Sequence, residues 1–137
     1  MTCIIGYVDR KTKDIFIGAD SSAVMGDEIF KRSDEKVFVN GAMIFGFAGS
    51  FRMGQILRYS FEVPKQSKKK DDYEYLCTDF IDDLIKCFTK KGFATVEDNV
   101  IIGGTFLIGY KGNLYEIGPD FQVGKDLVNY AAIGIGE

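Results

Sequence analysis

The order in which two hydrophobic periods follow one another constrains this chain most. Short apolar runs of strand length come first, then two stretches with helical period, then strands again. Residues 3–8 and 15–19 are apolar and flank the polar segment 9–14, which predicts a hairpin at the N-terminus. Residues 20–26 are small and polar and read as a loop. Residues 36–39 and 42–47 flank Asn40-Gly41, the strongest short-range hairpin signal a sequence offers. Helical period then takes over. Met53, Ile56, Leu57 and Phe61 form one stripe across residues 50–61. Leu76, Phe80, Leu84 and Phe88 recur every fourth residue across 73–91, with Cys77, Ile81 and Ile85 beside them. On that pattern Cys77 and Cys87 are buried apolar groups. Residues 99–110 and 114–117, turned at Lys111-Gly112-Asn113, form a third hairpin, and 121–123 and 129–135 are further short strands. Gly103-Gly104 inside a strand predicts a bulge or a close backbone approach.

This is not an alternating βαβ pattern. It predicts an α+β fold, mostly antiparallel, with two sheets face to face and helices outside. At 137 residues the chain has the length of one domain, and residues 1–137 are read as one. Both helices fall between the second and third hairpins, so they cover one sheet and leave the outer face of the other bare. The expectation is a chain cut short at its C-terminus, or a partner subunit on that face. Apolar positions on 100–110 are expected to be among those left uncovered.

Composition narrows the chemistry. The chain has no histidine, which excludes a Ser-His-Asp triad, a Cys-His dyad and any His-containing zinc site. Acid–base work must fall to carboxylates, Lys, Tyr, Cys or the chain's own amino terminus. Cys3, Cys77 and Cys87 are odd in number with no CxxC spacing, so they read as reduced thiols in a reducing compartment, and no metal is expected. The net charge of −3 supplies no field for nucleic acid or an anionic membrane, and Lys68-Lys69-Lys70 runs straight into Asp71-Asp72. No apolar run is long enough to span a bilayer, no targeting segment opens the sequence, and a cytoplasmic protein is expected. Gly118 to Lys125 misses the phosphate-loop spacing and has Asp126 where Ser or Thr is needed.

One constellation survives. Thr2 follows the initiator Met, and removal of Met1 would leave a hydroxyl nucleophile carrying its own base, an α-amine of reference pKa about 8. A neighbouring ammonium lowers that pKa, and a carboxylate is needed to hold the ammonium in place. Lys36 and Asp20 are of the right types. A glycine N–H can hold the developing oxyanion, and Gly46, in Phe45-Gly46-Phe47-Ala48-Gly49-Ser50, is suitably placed. Each also has a plain structural alternative: Thr2 a strand residue, Asp20 a turn residue, Lys36 a solvated strand end, Gly46 a packing glycine.

The chain resembles the proteasome β-subunit family of N-terminal-nucleophile hydrolases, and within it the bacterial peptidases of the heat-shock-locus V kind with their phage and prophage relatives. The resemblance rests on Thr2-Cys3-Ile4-Ile5-Gly6, Ile17-Gly18-Ala19-Asp20-Ser21-Ser22-Ala23, Gly26, Lys36-Val37, the Phe45–Ser50 motif and Ala131-Ala132-Ile133-Gly134-Ile135-Gly136, in that order. It implies a four-layer αββα sandwich, here without its second helical layer, and a threonine-type endopeptidase conditional on loss of Met1. It further implies a homo-oligomeric ring enclosing a chamber, unfolded polypeptide as substrate, an ATP-dependent unfoldase as possible partner, and no cofactor. By position, Thr2 is nucleophile and base, Asp20 and Lys36 orient and tune it, and Gly46 serves the oxyanion. Ala23 and Val24 bind substrate backbone as an added strand, and Ala48 borders the specificity pocket. The family commonly has Ser where this chain has Ile135. Two other functions stay open on the residues alone: a non-catalytic assembly subunit, and a hydrolase of small amides.

Overall fold

The computed structural model describes residues 2–25, 27–93, 95–97 and 100–134. Met1, Gly26, Asn99, Ile135 and Gly136, which carry parts of the reading above, lie outside the described residues. Twelve strands are present among those described: β1 (Cys3–Val8), β2 (Ile15–Ala19), β3 (Ser22–Met25), β4 (Glu28–Lys31), β5 (Val37–Asn40), β6 (Met43–Ala48), β7 (Thr95–Glu97), β8 (Val100–Ile102), β9 (Thr105–Tyr110), β10 (Asn113–Ile117), β11 (Val123–Lys125) and β12 (Tyr130–Gly134). Helix α1 spans Phe51–Tyr59. A second helix runs as α over Asp72–Tyr75, as π over Leu76–Phe80 and as α again over Ile81–Lys90, and is called α2 throughout.

All the strand pairs are antiparallel. The strands form a five-stranded sheet, β11-β10-β9-β6-β5, a three-stranded sheet, β12-β1-β2, and two separate ribbons, β3-β4 and β7-β8. The β3-β4 ribbon stands where the sequence reading has a loop. Its first strand is short and its small residues hide the alternation, but Ser22 to Met25 pair in full register with Lys31 to Glu28. The second hairpin turns one residue later than the Asn-Gly dipeptide indicates: Asn40 pairs with Met43, and Gly41 takes the first central position with φ 60°. Asn40 instead ties the end of α1, its Nδ2 donating to the carbonyls of Leu57 at 2.7 Å and Phe61 at 2.8 Å. Lys111 and Gly112, both at positive φ, make the β9-β10 turn.

The two larger sheets pack face to face over a small apolar cluster of Ile4, Val8, Leu107, Leu114, Ala131 and Ile133. The opposite face of the five-stranded sheet carries the main core, where Phe45, Phe106 and Ile108 meet Met53, Ile56 and Leu57 of α1 and Leu76, Phe80, Leu84 and Phe88 of α2. The described residues thus stack as helices, sheet, sheet.

The π segment explains how a strict four-residue repeat stays on one face. In an α-helix each step of four overshoots a full turn by about 40°, so three steps would carry Phe88 far around from Leu76. A π turn holds more residues and rotates less per residue, which takes back part of that drift. Leu76, Phe80, Leu84 and Phe88 are all fully buried. In the neighbouring row Ile81 is buried but Cys77 is exposed, and Cys87 is half-buried, so neither cysteine is the fully buried apolar group expected.

The outer face of the second sheet is bare as expected, but the described apolar positions of β9 are not on it. Strand β9 is central, and Phe106, Leu107, Ile108 and Tyr110 are buried against one neighbour layer or the other. Exposed apolar groups lie instead on the outer face of β12-β1-β2, where Ile5, Tyr7, Phe16 and Tyr130 are 45–61% exposed. Tyr130, Tyr7 and Phe16 stand opposite one another across the three strands. The single strand read over 99–110 is broken at Gly103-Gly104, between β8 and β9, and there the expected close approach is found, with Phe121 and Met53 filling the space their side chains would need.

Candidate active site

The first hairpin sets Thr2 and Asp20 side by side. Thr2 immediately precedes β1 and Asp20 immediately follows β2. The ladder between these strands ends with Asp20 N–H donating to Cys3 C=O at 3.2 Å. The Asp20 carboxylate then reaches back. Its Oδ1 accepts from Cys3 N–H at 2.9 Å and its Oδ2 from Ser22 N–H at 2.9 Å. The carboxylate is therefore fixed at both oxygens by main-chain donors before any side chain arrives.

The arriving side chain is Lys36. It sits one residue ahead of β5, its own carbonyl accepting from Phe47 N–H at 3.1 Å, which pins its backbone to β6. Only 3% of Lys36 is exposed, and it is the one buried charged residue among those described. Its Nζ lies 3.3 Å from Thr2 Oγ1, 3.1 and 3.2 Å from the two Asp20 oxygens, and 2.6 Å from Ser22 C=O. An ammonium has three protons, and here it meets three acceptor groups: a hydroxyl, a carboxylate and a carbonyl. Desolvation pushes the Asp20 carboxyl up, but the N–H groups of Cys3 and Ser22 and the Lys36 ammonium outweigh it and hold the group down to about 2. Asp20 is an anion at any physiological pH, so it anchors Lys36 and exchanges no proton.

Chemically, Thr2 Oγ1 accepts from a cation, which leaves its own O–H proton free to be donated. Thr2, Asp20 and Lys36, separated by up to 34 residues, form one hydrogen-bonded unit. No described contact joins Gly46 to it. Gly46 lies within β6, between Val37 and Leu107, and a Cβ there would come within 2.6 Å of Ile4 and 2.9 Å of Ile17. Its bare Cα therefore lets β1 and β2, the strands that carry Thr2 and Asp20, close onto the five-stranded sheet. Ala23 is buried in β3, opposite Phe30, and Val24 pairs with Ile29. Among the described residues β3 has a strand neighbour only on its β4 side. Ala48 ends β6 and packs against the inter-sheet cluster.

Ser22, like Cys3, is a participant that sequence reasoning missed. It acts wholly through its backbone, accepting from Lys36 and donating to Asp20, so no side-chain signal marks it. A second omission is the link from β4 to β5. Arg32 holds both Asp34 oxygens, at 2.7 and 2.6 Å, and its guanidinium stacks 3.8 Å from the centre of the Phe51 ring. This folds the segment that delivers Lys36. A cleft of about 310 Å³, lined in part by Ala19, Asp20, Arg32, Glu35 and Lys36, opens beside it. Among the described residues no group of three or more metal-ligating side chains converges, and no helix is long and apolar enough to cross a membrane.

No protein-family profile matches the chain, and no curated protein matches its sequence. Solved structures do. BPH of Thiobacillus denitrificans superimposes with a TM-score of 0.74 at 19% identity, over 99% of this chain and 73% of that one. The same protein in complex with epoxomicin gives 0.72 at 18% identity, with the same coverage. The eukaryotic HslV of Trypanosoma brucei gives 0.56 at 19% identity, over 98% of this chain and 72% of that one. At such identities the likeness shows the fold alone, a proteasome-like one.

Proposed function

We propose that this chain is a threonine-type peptidase subunit whose nucleophile is Thr2, exposed as the amino-terminal residue once Met1 is removed. The observation that carries the reading is the Lys36 ammonium, buried and shared between the Thr2 hydroxyl and the Asp20 carboxylate. A buried ammonium there has a reason to exist: it favours the neutral form of a nearby α-amine and so supplies a base at neutral pH. The fold likeness to BPH, which one solved structure holds in complex with epoxomicin, supports it.

In the proposed reaction Thr2 Oγ1 forms a bond to the substrate carbonyl carbon. Its hydroxyl proton passes to the α-amine, and the carbonyl electron pair moves to oxygen. Collapse of that oxyanion expels the peptide amine, which takes the proton back from the α-ammonium and leaves an ester on Thr2. Water then repeats the sequence, freeing the acid and restoring the hydroxyl. Lys36 orients and tunes Thr2, the N–H assigned to Gly46 serves the oxyanion, and Asp20 holds Lys36 throughout. Substrate adds as a strand along β3 at Ala23 and Val24, with Ala48 bordering the pocket. The proposal extends to a cytoplasmic homo-oligomeric ring that takes unfolded polypeptide, with an ATP-dependent unfoldase as feeder. It also extends to the αββα sandwich without its second helical layer, which leaves Ile5, Tyr7, Phe16 and Tyr130 on an uncovered face.

The test is hydrolysis of an unstructured fluorogenic polypeptide by protein whose mass shows Met1 gone. Thr2→Ala should abolish turnover, while Thr2→Ser, which keeps hydroxyl and amine, should retain a measurable fraction. Turnover that survives Thr2→Ala would refute the assignment.

A further inference from the structure

Gly134 occupies an unusual position relative to the proposed nucleophile. It ends β12, opposite Cys3 of β1, and holds φ 97°, a conformation L side chains rarely adopt. A Cβ built there would fall on the carbonyl oxygen of Thr2 and lie 2.8 Å from its carbonyl carbon. Other glycines with crowded Cβ positions differ in kind. At Gly6, Gly46, Gly103 and Gly109 the crowding comes from side chains, which can rotate aside. At Gly134 it comes from backbone, which cannot yield without moving Thr2.

The movement would be felt at once. Cys3 N–H, the next donor along the chain, holds Asp20 Oδ1, and Asp20 holds Lys36. We propose that Gly134 is a positioning residue for the nucleophile: its bare Cα lets β12 approach the Thr2 carbonyl and so fixes where Thr2 stands relative to Lys36 and Asp20. The proposal rests on the peptidase reading for its catalytic consequence, and on the geometry alone for its structural one. A misplacement of about 1 Å is enough to cost roughly 10²-fold in rate.

The test compares Gly134→Ala with the same position carrying D-alanine, introduced by semisynthesis. D-alanine accepts positive φ and directs its methyl away from the Thr2 carbonyl, so it adds the same methyl with neither the strain nor the contact that L-alanine brings. Two quantities are read. One is the rate at which an epoxyketone that needs both the hydroxyl and the free amine of an N-terminal residue modifies Thr2. The other is the Asp20 titration midpoint by carboxyl-carbon NMR. Gly134→Ala should slow modification about 10²-fold and raise the Asp20 midpoint, because the Cys3 N–H is displaced, while the D-alanine protein should behave like the parent in both. Gly109→Ala, which crowds Ile15 and Ile44 away from the site, serves as the stability control and should leave the Asp20 midpoint in place. An unchanged Asp20 midpoint in folded Gly134→Ala protein, or a D-alanine protein as impaired as the L-alanine one, would overturn the proposal. A parent protein that the epoxyketone leaves unmodified would instead overturn the peptidase reading, and the Asp20 midpoints would still decide the positional role.

Discussion

The two large sheets are built from similarly apolar strands and differ in what covers them. The five-stranded sheet is covered twice, by helices on one face and by the other sheet on the second, and its central strand β9 is buried almost throughout. The three-stranded sheet is covered once. Its strand β1 alternates buried and exposed positions, yet the exposed ones are Ile5 and Tyr7 rather than polar residues. The site lies where the two sheets meet: Thr2 and Asp20 come from the thinly covered one, Lys36 from the start of the thickly covered one. Thr2 is thus held through Asp20, Lys36 and β12 more than by mass of packing.

The largest effect that should separate the two regions is a core truncation. Phe80→Ala removes a ring fully buried among Phe45, Phe61 and Tyr75, and should cost about 3–5 kcal/mol in denaturant unfolding. Tyr7→Ser, on the outer face, should shift stability by no more than about 0.5 kcal/mol. If Tyr7→Ser costs as much as Phe80→Ala, the outer face is covered in solution and the contrast between the sheets fails.

Next comes the joint between them. Asp20→Ala leaves the Lys36 ammonium buried with one carbonyl and one hydroxyl, and should destabilise the fold by about 3 kcal/mol. A double variant, Asp20→Ala with Lys36→Met, should recover much of that loss, because no unpaired charge remains. No recovery would mean that Asp20 acts through its main-chain donors alone.

The pH dependence is smaller and its sign is fixed. Asp20 titrates near 2 when folded and near its ordinary value of 3.8 when unfolded. The folded state therefore binds fewer protons between these values, so this contribution is full above about pH 4 and is lost as pH falls towards about 2. Acid unfolding curves of the parent should show that loss, and those of Asp20→Asn should show less of it.

Much of this architecture was legible in the sequence because it rests on period. The stripes of α1 and α2 and the three main hairpins follow from spacing, and the bare outer face follows from counting helices. What was not legible depends on backbone. The β3-β4 ribbon is made by register between two four-residue strands, one of them rich in small residues. The π turn in α2, which leaves Cys77 exposed, has no marker in residue type. The location of the bare face on Ile5, Tyr7, Phe16 and Tyr130, and not on β9, follows from strand order, which pairs β9 with β6 and β10. At the site the residue types Thr2, Asp20 and Lys36 were readable from chemistry. The roles of Cys3 and Ser22 were not, because those residues contribute N–H and C=O groups that every residue possesses. Nor was the need for glycine at position 134, which is set by the path of β12, whose last residue lies 132 residues from Thr2 in sequence.

The central claim is that Thr2, relieved of Met1, is a nucleophile poised by Lys36. Intact-mass spectrometry after incubation with the epoxyketone tests it most directly, because the spectrum reports Met1 status and adduct formation together. The account predicts a species lacking Met1 that carries one adduct, mapped to Thr2 and absent from Lys36→Ala protein. A species lacking Met1 that stays unmodified, or an adduct that forms equally well without Lys36, would contradict it.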